Sequence, residues 1–225
     1  MGADLSQLFR TLLLIVGALF PIVNPLGNAP IFLSLTRGFS SATRAVLAWK
    51  IALNGFVLLV VSILIGTHIL AFFGISLPVV QVGGGLVVIA TGWSLLNRED
   101  DDEELGDSKK SVTSAKISER AFYPLTLPLT VGPGSISVAI TVGANQPQGV
   151  PAQWPVLVAA VAGAAVVAVT IYLSYRFAER IARALGETAM KVLIRLSSFI
   201  LLCIGVQILW NGLSVLLRSV MESRG

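Results

Sequence analysis

The chain has 225 residues, 55% of them hydrophobic and 12% charged, with a mean hydropathy of +0.83. Soluble domains carry about 25% charged residues. The missing charge points to a membrane protein, and the length has room for one soluble domain or about six membrane spans of roughly 20 residues. A single cysteine, Cys203, and a single histidine, His68, exclude an internal disulfide framework and any multi-histidine or cysteine-rich metal site.

In chain order, the start "MGADLSQLFR" places Asp4 before any basic residue, so no cleavable signal peptide is expected. The first apolar segment, 8–36, contains "FPIVNPLGNAPIFLSLT" at 20–36, with three prolines and two asparagines in a stretch that otherwise reads as a membrane helix. The second, 45–70, carries Asn54 in "WKIALNGF". The third, 77–97, carries Gln81, Thr91 and "VGGGL", whose glycines suit close helix packing. The polar, mostly acidic run "NREDDDEELGDSKKSVTSAKISER" follows. It reads as a linker, 98–120, between a first three-helix repeat, 1–97, and a second, 121–225. The fourth segment, 121–144, opens with "FYPLTLPLTVGPGSI"; the fifth and sixth are 154–176 and 192–217, the latter holding Cys203 and Asn211. Cys203 is expected to pack as a small residue, Asn54 and Asn211 to join helices or meet a solute, and Trp154 and Trp210 to sit in interfacial belts.

The fourth segment repeats the first. Pro21, Pro25 and Pro30 match Pro124, Pro128 and Pro133, each pair 103 positions apart, and Ser34 matches Ser137 at the same offset. An internal repeat of three spans is an odd number, so the second copy must insert inverted. Each proline denies a hydrogen bond to the carbonyl four residues earlier. Those carbonyls belong to Gly17, Pro21 and Leu26 in the first copy and to Arg120, Pro124 and Leu129 in the second. Unsatisfied backbone in lipid costs several kcal/mol, roughly, per group. The expected fold is therefore all-α and integral to the membrane. It has six transmembrane helices in two inverted repeats, with helices 1 and 4 broken at the proline motifs where protein, water or a ligand meets the backbone.

The basic residues set the orientation. Arg37, Arg44 and Lys50 follow the first span. Arg98, Lys109, Lys110, Lys116 and Arg120 lie around the linker, and Arg176, Arg180, Arg183, Lys191 and Arg195 between spans five and six. These are thirteen of the sixteen, so the positive-inside rule makes these loops cytoplasmic and puts both termini outside. The net charge of +4 is thus an orientation signal and not a nucleic-acid footprint. No Asp or Glu falls in a span core, which leaves no membrane carboxylate for a proton relay.

"FPIVNPLGNAPIFLSLT" and "PLTLPLTVGPGSI" resemble the paired signatures of the MarC family of integral membrane proteins (UPF0056-type), and the six-span layout with its polar mid-chain linker is similar over nearly the whole chain. The resemblance implies a bacterial cytoplasmic (inner) membrane protein of the lysine-exporter superfamily, some of whose members are described as transporters of small neutral amino acids. It brings no set of binding residues. The candidate substrate site rests on the motifs themselves: Asn24, Pro25, Gly27 and Asn28 from the first, Pro128, Thr130, Gly132, Gly134 and Ser135 from the second, and Asn54 beside them. Broken helix ends offer N–H donors and unwound backbone offers carbonyls, the pair of features a zwitterion needs. Asn24 is expected to meet substrate through its amide. The expected function is secondary transport or export of a small neutral solute such as an amino acid. A channel-like pore and a non-transporting scaffold stay open, as does oligomerisation. No enzyme activity and no metal or cofactor is expected, since a nucleophile such as Ser135 has no evident base.

Overall fold

The computed structural model describes residues 2–36, 38–97, 120–145 and 153–222. Among them every element is helical: α1 (Gly2–Val23), α2 (Pro25–Leu35), α3 (Ser41–Phe72), α4 (Leu77–Leu96), α5 (Ala121–Thr130), α6 (Pro133–Ala144), α7 (Gln153–Arg176) and α8 (Ala178–Glu222). The expected linker falls almost wholly at 98–119, outside the described residues.

Among the described residues, five helical runs are long and apolar enough to cross a membrane: Leu8–Leu33, Ser41–Phe72, Leu77–Leu96, Leu157–Arg176 and Thr188–Glu222. The fourth of the six expected spans, 121–144, is not among them. The segment 121–144 is divided into α5, of 10 residues, and α6, of 12. The reason is local. A residue before proline is pushed out of the helical region. Tyr123 (φ −125°, ψ 127°) and Leu127 (φ −106°, ψ 127°) are extended before Pro124 and Pro128. Gly132 (φ −97°, ψ −177°) is extended before Pro133. The turns of α5 open to a π-type spacing, with Val131 N–H donating to the Thr126 carbonyl five residues back. Thr126 and Thr130 support it by donating their hydroxyls to the Ala121 and Leu125 carbonyls at 2.7 and 2.6 Å.

The first motif breaks once. Asn24 adopts φ 46°, the left-handed region that asparagine tolerates better than most residues. Asn24 N–H still closes α1 on the Phe20 carbonyl, and its own carbonyl accepts from Asn28 N–H as the first bond of α2. Pro25 stands at the first position of α2, where a missing N–H removes no intrahelical bond.

One apolar core joins α1, α2, α3, α5–α6 and α7 around Ile15, Leu19, Phe32, Leu47, Ile51, Leu59, Val131, Val167 and Ile171. α4 and α8 pack along each other beside it. Their contact is backbone on backbone. A Cβ on Gly85 would lie 2.6 Å from Leu209 N and 2.9 Å from the Gly205 oxygen, and one on Gly205 would lie 2.7 Å from Ile89 N and 3.1 Å from the Gly85 oxygen. Gly92 meets Leu202 and Ser198, while Gly212 meets Pro78 and Val82. The numbers climb on α4 as they fall on α8, so the two helices are antiparallel.

Three chain junctions gather at one end of the bundle. Arg44 forms an ion pair with Glu179 and donates to the Thr36 carbonyl at 3.3 Å, and the Arg120 guanidinium stands 5.7 Å from the centre of the Phe39 ring. The α3–α4 turn and the start of α4, packed against Gly212, lie at the opposite end.

Candidate functional site

The two breaks meet. Asn28, 5% exposed, sits one turn into α2 and donates both amide hydrogens: to the Val23 carbonyl at 2.9 Å and, across the molecule, to the Leu129 carbonyl at 3.1 Å. The first acceptor lies at the C-terminal end of α1. The second is one of the carbonyls that the prolines deprive of a partner. One side chain thus satisfies backbone groups at both breaks.

A cavity of about 380 Å³ adjoins this junction, bounded by α2, α4, the α5–α6 turn and Leu201 of α8. Asn28, Thr91, Thr130 and Ser135 provide its polar side chains; Ile31, Leu35, Val87, Val88 and Leu129 provide much of its apolar wall. None of the lining residues is charged. With both hydrogens of Asn28 engaged, its Oδ1 remains as an acceptor for the cavity. Ser135 donates its hydroxyl to the Gly132 carbonyl at 3.0 Å. The N–H groups of Gly134 and Ser135 belong to the first turn of α6, where no intrahelical acceptor exists and the helix dipole is positive. A neutral acceptor, two backbone donors and an apolar wall suit a small neutral or zwitterionic solute. An ion would enter without a counter-charge, which is expensive at membrane depth. Cavities of this volume hold small ligands.

Thr130 is anchored from below. Thr130 donates to the Leu125 carbonyl, so the 2.8 Å contact with Tyr175 is a bond donated by the tyrosine hydroxyl. Tyr175, 2% exposed, stacks on Phe32 with ring centres 4.6 Å apart and planes 6° apart. This Phe32–Tyr175–Thr130 unit ties α2, α7 and α5 together beneath the cavity. Phe32 lies inside the first proline motif, but nothing in its spacing marks it. Tyr175 precedes Arg176 at the end of the fifth segment, where a belt aromatic is the ordinary reading.

Of the expected site residues, the structure brings Asn28, Thr130, Gly132, Gly134 and Ser135 to the cavity wall. Asn24 stands behind it: its Oδ1 accepts from Gly27 N–H at 3.2 Å and caps α2. Gly27 accommodates that cap, since a Cβ there would lie 2.4 Å from Asn24 Nδ2. Pro25 and Pro128 shape the backbone of α2 and α5. Asn54 joins helices, its Nδ2 donating to Thr126 Oγ1 at 3.5 Å. Asn211 bonds within α8, accepting from Gln207 Nε2 at 2.9 Å, and Cys203 is exposed on α8 rather than packed. No cluster of His, Cys, Asp or Glu able to hold a metal occurs among the described residues.

The cavity extends from the junction toward Leu35, Leu95 and Pro124, at the end where the three junctions gather. On its other side α4 and α6 close together. A Cβ on Gly84 would lie 2.6 Å from Ser137 Cβ. Ser137 donates to the Val80 carbonyl at 3.1 Å, and Gln81 Nε2 donates to Thr141 Oγ1 at 3.3 Å.

The sequence profile of the family described as MarC family integral membrane protein matches residues 9–217. The UPF0056 membrane protein YvbG of Bacillus subtilis is 31% identical over 87% of this chain and 90% of its own length. The UPF0056 inner membrane protein MarC of Escherichia coli is 30% identical over 95% of this chain and 98% of its own. No solved structure matches.

Proposed function

We infer that this chain, which belongs to the MarC family of integral membrane proteins, is a secondary transporter of a small neutral solute of the amino-acid class. The observation that carries the reading is the uncharged cavity beside two interrupted helices, where Asn28 links the breaks and the first turn of α6 presents free N–H groups. Interrupted helices near the midplane that offer backbone donors and acceptors recur at substrate sites of secondary transporters. Closure of α4 on α6 at one end of the cavity favours a carrier over an open pore.

The reading includes two inverted halves, α1–α4 and α5–α8, related by a pseudo-two-fold axis in the membrane plane. The contacts of α4 with α8 support it. Gly85 and Gly205 contact each other's backbone, and Gly92 on Ser198 mirrors Gly212 on Pro78, all at one offset of 120 positions. The gathered basic junctions support a cytoplasmic end, with both termini outside and the bacterial inner membrane as the location.

Purified protein in liposomes tests this. Small neutral amino acids should show saturable uptake and counterflow, measured with and without Na⁺ and pH gradients. Flux that rises linearly with concentration and shows no counterflow would make the protein a pore. Absence of flux for every such solute would remove the transport reading.

A further inference from the structure

The cavity uses one stripe of α4, Val87, Thr91 and Leu95, spaced about one helical turn apart. Through the reciprocal glycine contacts each α4 position corresponds to an α8 position 120 residues later. The matching stripe of α8 is Gln207, Asn211 and Val215. Because α4 and α8 are antiparallel, that stripe climbs toward the end of the molecule opposite to the cavity. Leu201, the α8 residue in the cavity wall, corresponds in the same way to Gln81 of α4, which bonds Thr141 of α6.

Gln207 and Asn211 are both exposed, and both lie in the apolar run Thr188–Glu222. Gly205 faces Gly85 near the middle of α4, and Gly212 faces Pro78 at its start. Gln207, two positions past Gly205, is therefore well inside the hydrocarbon layer. The single bond from Gln207 Nε2 to Asn211 Oδ1 uses one donor and one acceptor of the pair. It leaves Gln207 Oε1 and the Asn211 amide hydrogens for other partners. Lipid offers none. Polar side chains at this depth characteristically face a protein interior or a water-filled cavity.

We propose that Gln207 and Asn211 line a second, water-filled vestibule between α6 and α8. It is the counterpart of the cavity between α2 and α4, and it admits the neutral solute to the same junction from the opposite membrane face. The proposal rests on the transporter reading with its inverted halves. Positions that are apolar around the first cavity, Val87 and Leu201, become Gln207 and Gln81 around the second. With Asn211 and Thr141, four uncharged hydrogen-bonding side chains from α4, α6 and α8 stand at that end. The closed contact of α4 with α6, held by Gly84 on Ser137 and by Gln81 on Thr141, separates this vestibule from the junction in the present conformation.

The test is single-cysteine labelling after Cys203→Ser, with a membrane-impermeant maleimide applied to intact cells and to inside-out vesicles. Thr91→Cys should label from one face, and Gln207→Cys and Asn211→Cys from the other. The control is Val206→Cys, at the depth of Gln207 on the apolar surface and 49% exposed in the structure. Gln207→Cys should label at least about tenfold faster than this control, since the reactive thiolate forms only where water reaches it. Gln207→Cys reacting as slowly as Val206→Cys would overturn the vestibule, and so would labelling from the same face as Thr91→Cys. Resistance to maleimide together with oxidative cross-linking of Gln207→Cys into a dimer would also overturn it, assigning the polar stripe to a contact between two copies. Labelling needs no transport. Opposite-face labelling in a protein that moves no solute would keep the vestibule and remove the transporter reading.

Discussion

Asn24 carries a left-handed backbone and an N-cap at once, and the two roles separate by substitution. Asn24→Gly keeps the φ of 46° without strain and loses only the side-chain bond to Gly27, a change of a few tenths of a kcal/mol, roughly. Asn24→Leu loses the cap and must hold the left-handed region as well, adding about 1–2 kcal/mol. Thermal unfolding in detergent should therefore rank wild type above Asn24→Gly and both above Asn24→Leu; a reversed order would show that φ is not what selects asparagine here. Thr91 is the complementary case. Its hydroxyl is on the cavity wall and bonds only the Val87 carbonyl of its own helix, at 2.8 Å. Thr91→Val keeps the volume and should leave the melting temperature unchanged. If that hydroxyl meets the solute, half-saturation should rise about two- to tenfold, the equivalent of one neutral hydrogen bond. Liposome uptake across a substrate series measures it.

Helix contacts in this protein are set by glycines, and their partners differ in whether they can yield. A Cβ on Gly134 would lie 1.9 Å from Val88 Cγ2, a side-chain atom, with the next atom at 3.4 Å. A Cβ on Gly143 would lie 2.0 Å from the Ile63 carbonyl oxygen, which is helix backbone. Gly134→Ala should destabilise by roughly 1–3 kcal/mol through overpacking. Adding Val88→Ala removes Cγ2 and should restore much of that loss, giving a coupling above the additivity error in a double-mutant cycle. No side-chain truncation at position 63 should rescue Gly143→Ala, because the obstructing atom is an oxygen of the main chain. Unfolding midpoints of these single and double variants check both statements.

At the scale of the whole molecule, the ion pair of Arg44 with Glu179 and the packing of Arg120 over Phe39 link the ends of α2 and α7 and the starts of α3, α5 and α8. These are the basic loops, so one measurement fixes the orientation of the entire bundle. Reporter fusions within the linker 98–119 should behave as cytoplasmic and fusions at Gly225 as external. Reporters in the linker and at Gly225 on the same side of the membrane would mean an even number of crossings between them and would overturn the inverted reading of the halves. The pairing itself is a solvent-accessible link, with Glu179 44% exposed, and should contribute little to stability. Arg44→Ala is accordingly expected to change the melting temperature of the detergent-solubilised protein by less than Gly134→Ala.

Membrane residence, the all-helical class, the family and the places where the helices break were legible in the sequence, because each follows from local chemistry: apolar run length, proline's missing N–H, and the extended conformation forced on the residue before it. The common spacing of the prolines also marked the two motifs as a pair. Local rules did not decide how each break was made. One asparagine in αL suffices at residue 24, whereas the second motif needs Tyr123, Leu127 and Gly132, so the fourth segment contains no helix long enough to span. Local rules mark Asn24 as the residue before Pro25, but none says that Asn28, four positions on, is the asparagine that reaches across the molecule. Asn28 reaches Leu129, 101 residues away, a contact that exists only after α2 and α5 have docked. Tyr175 reads as an interfacial aromatic until Phe32 and Thr130 are brought beneath it. The cavity likewise belongs to no segment. Its volume is the gap left when α4, held to α8 by glycine backbones, stands apart from α2, and only the tertiary packing sets that distance.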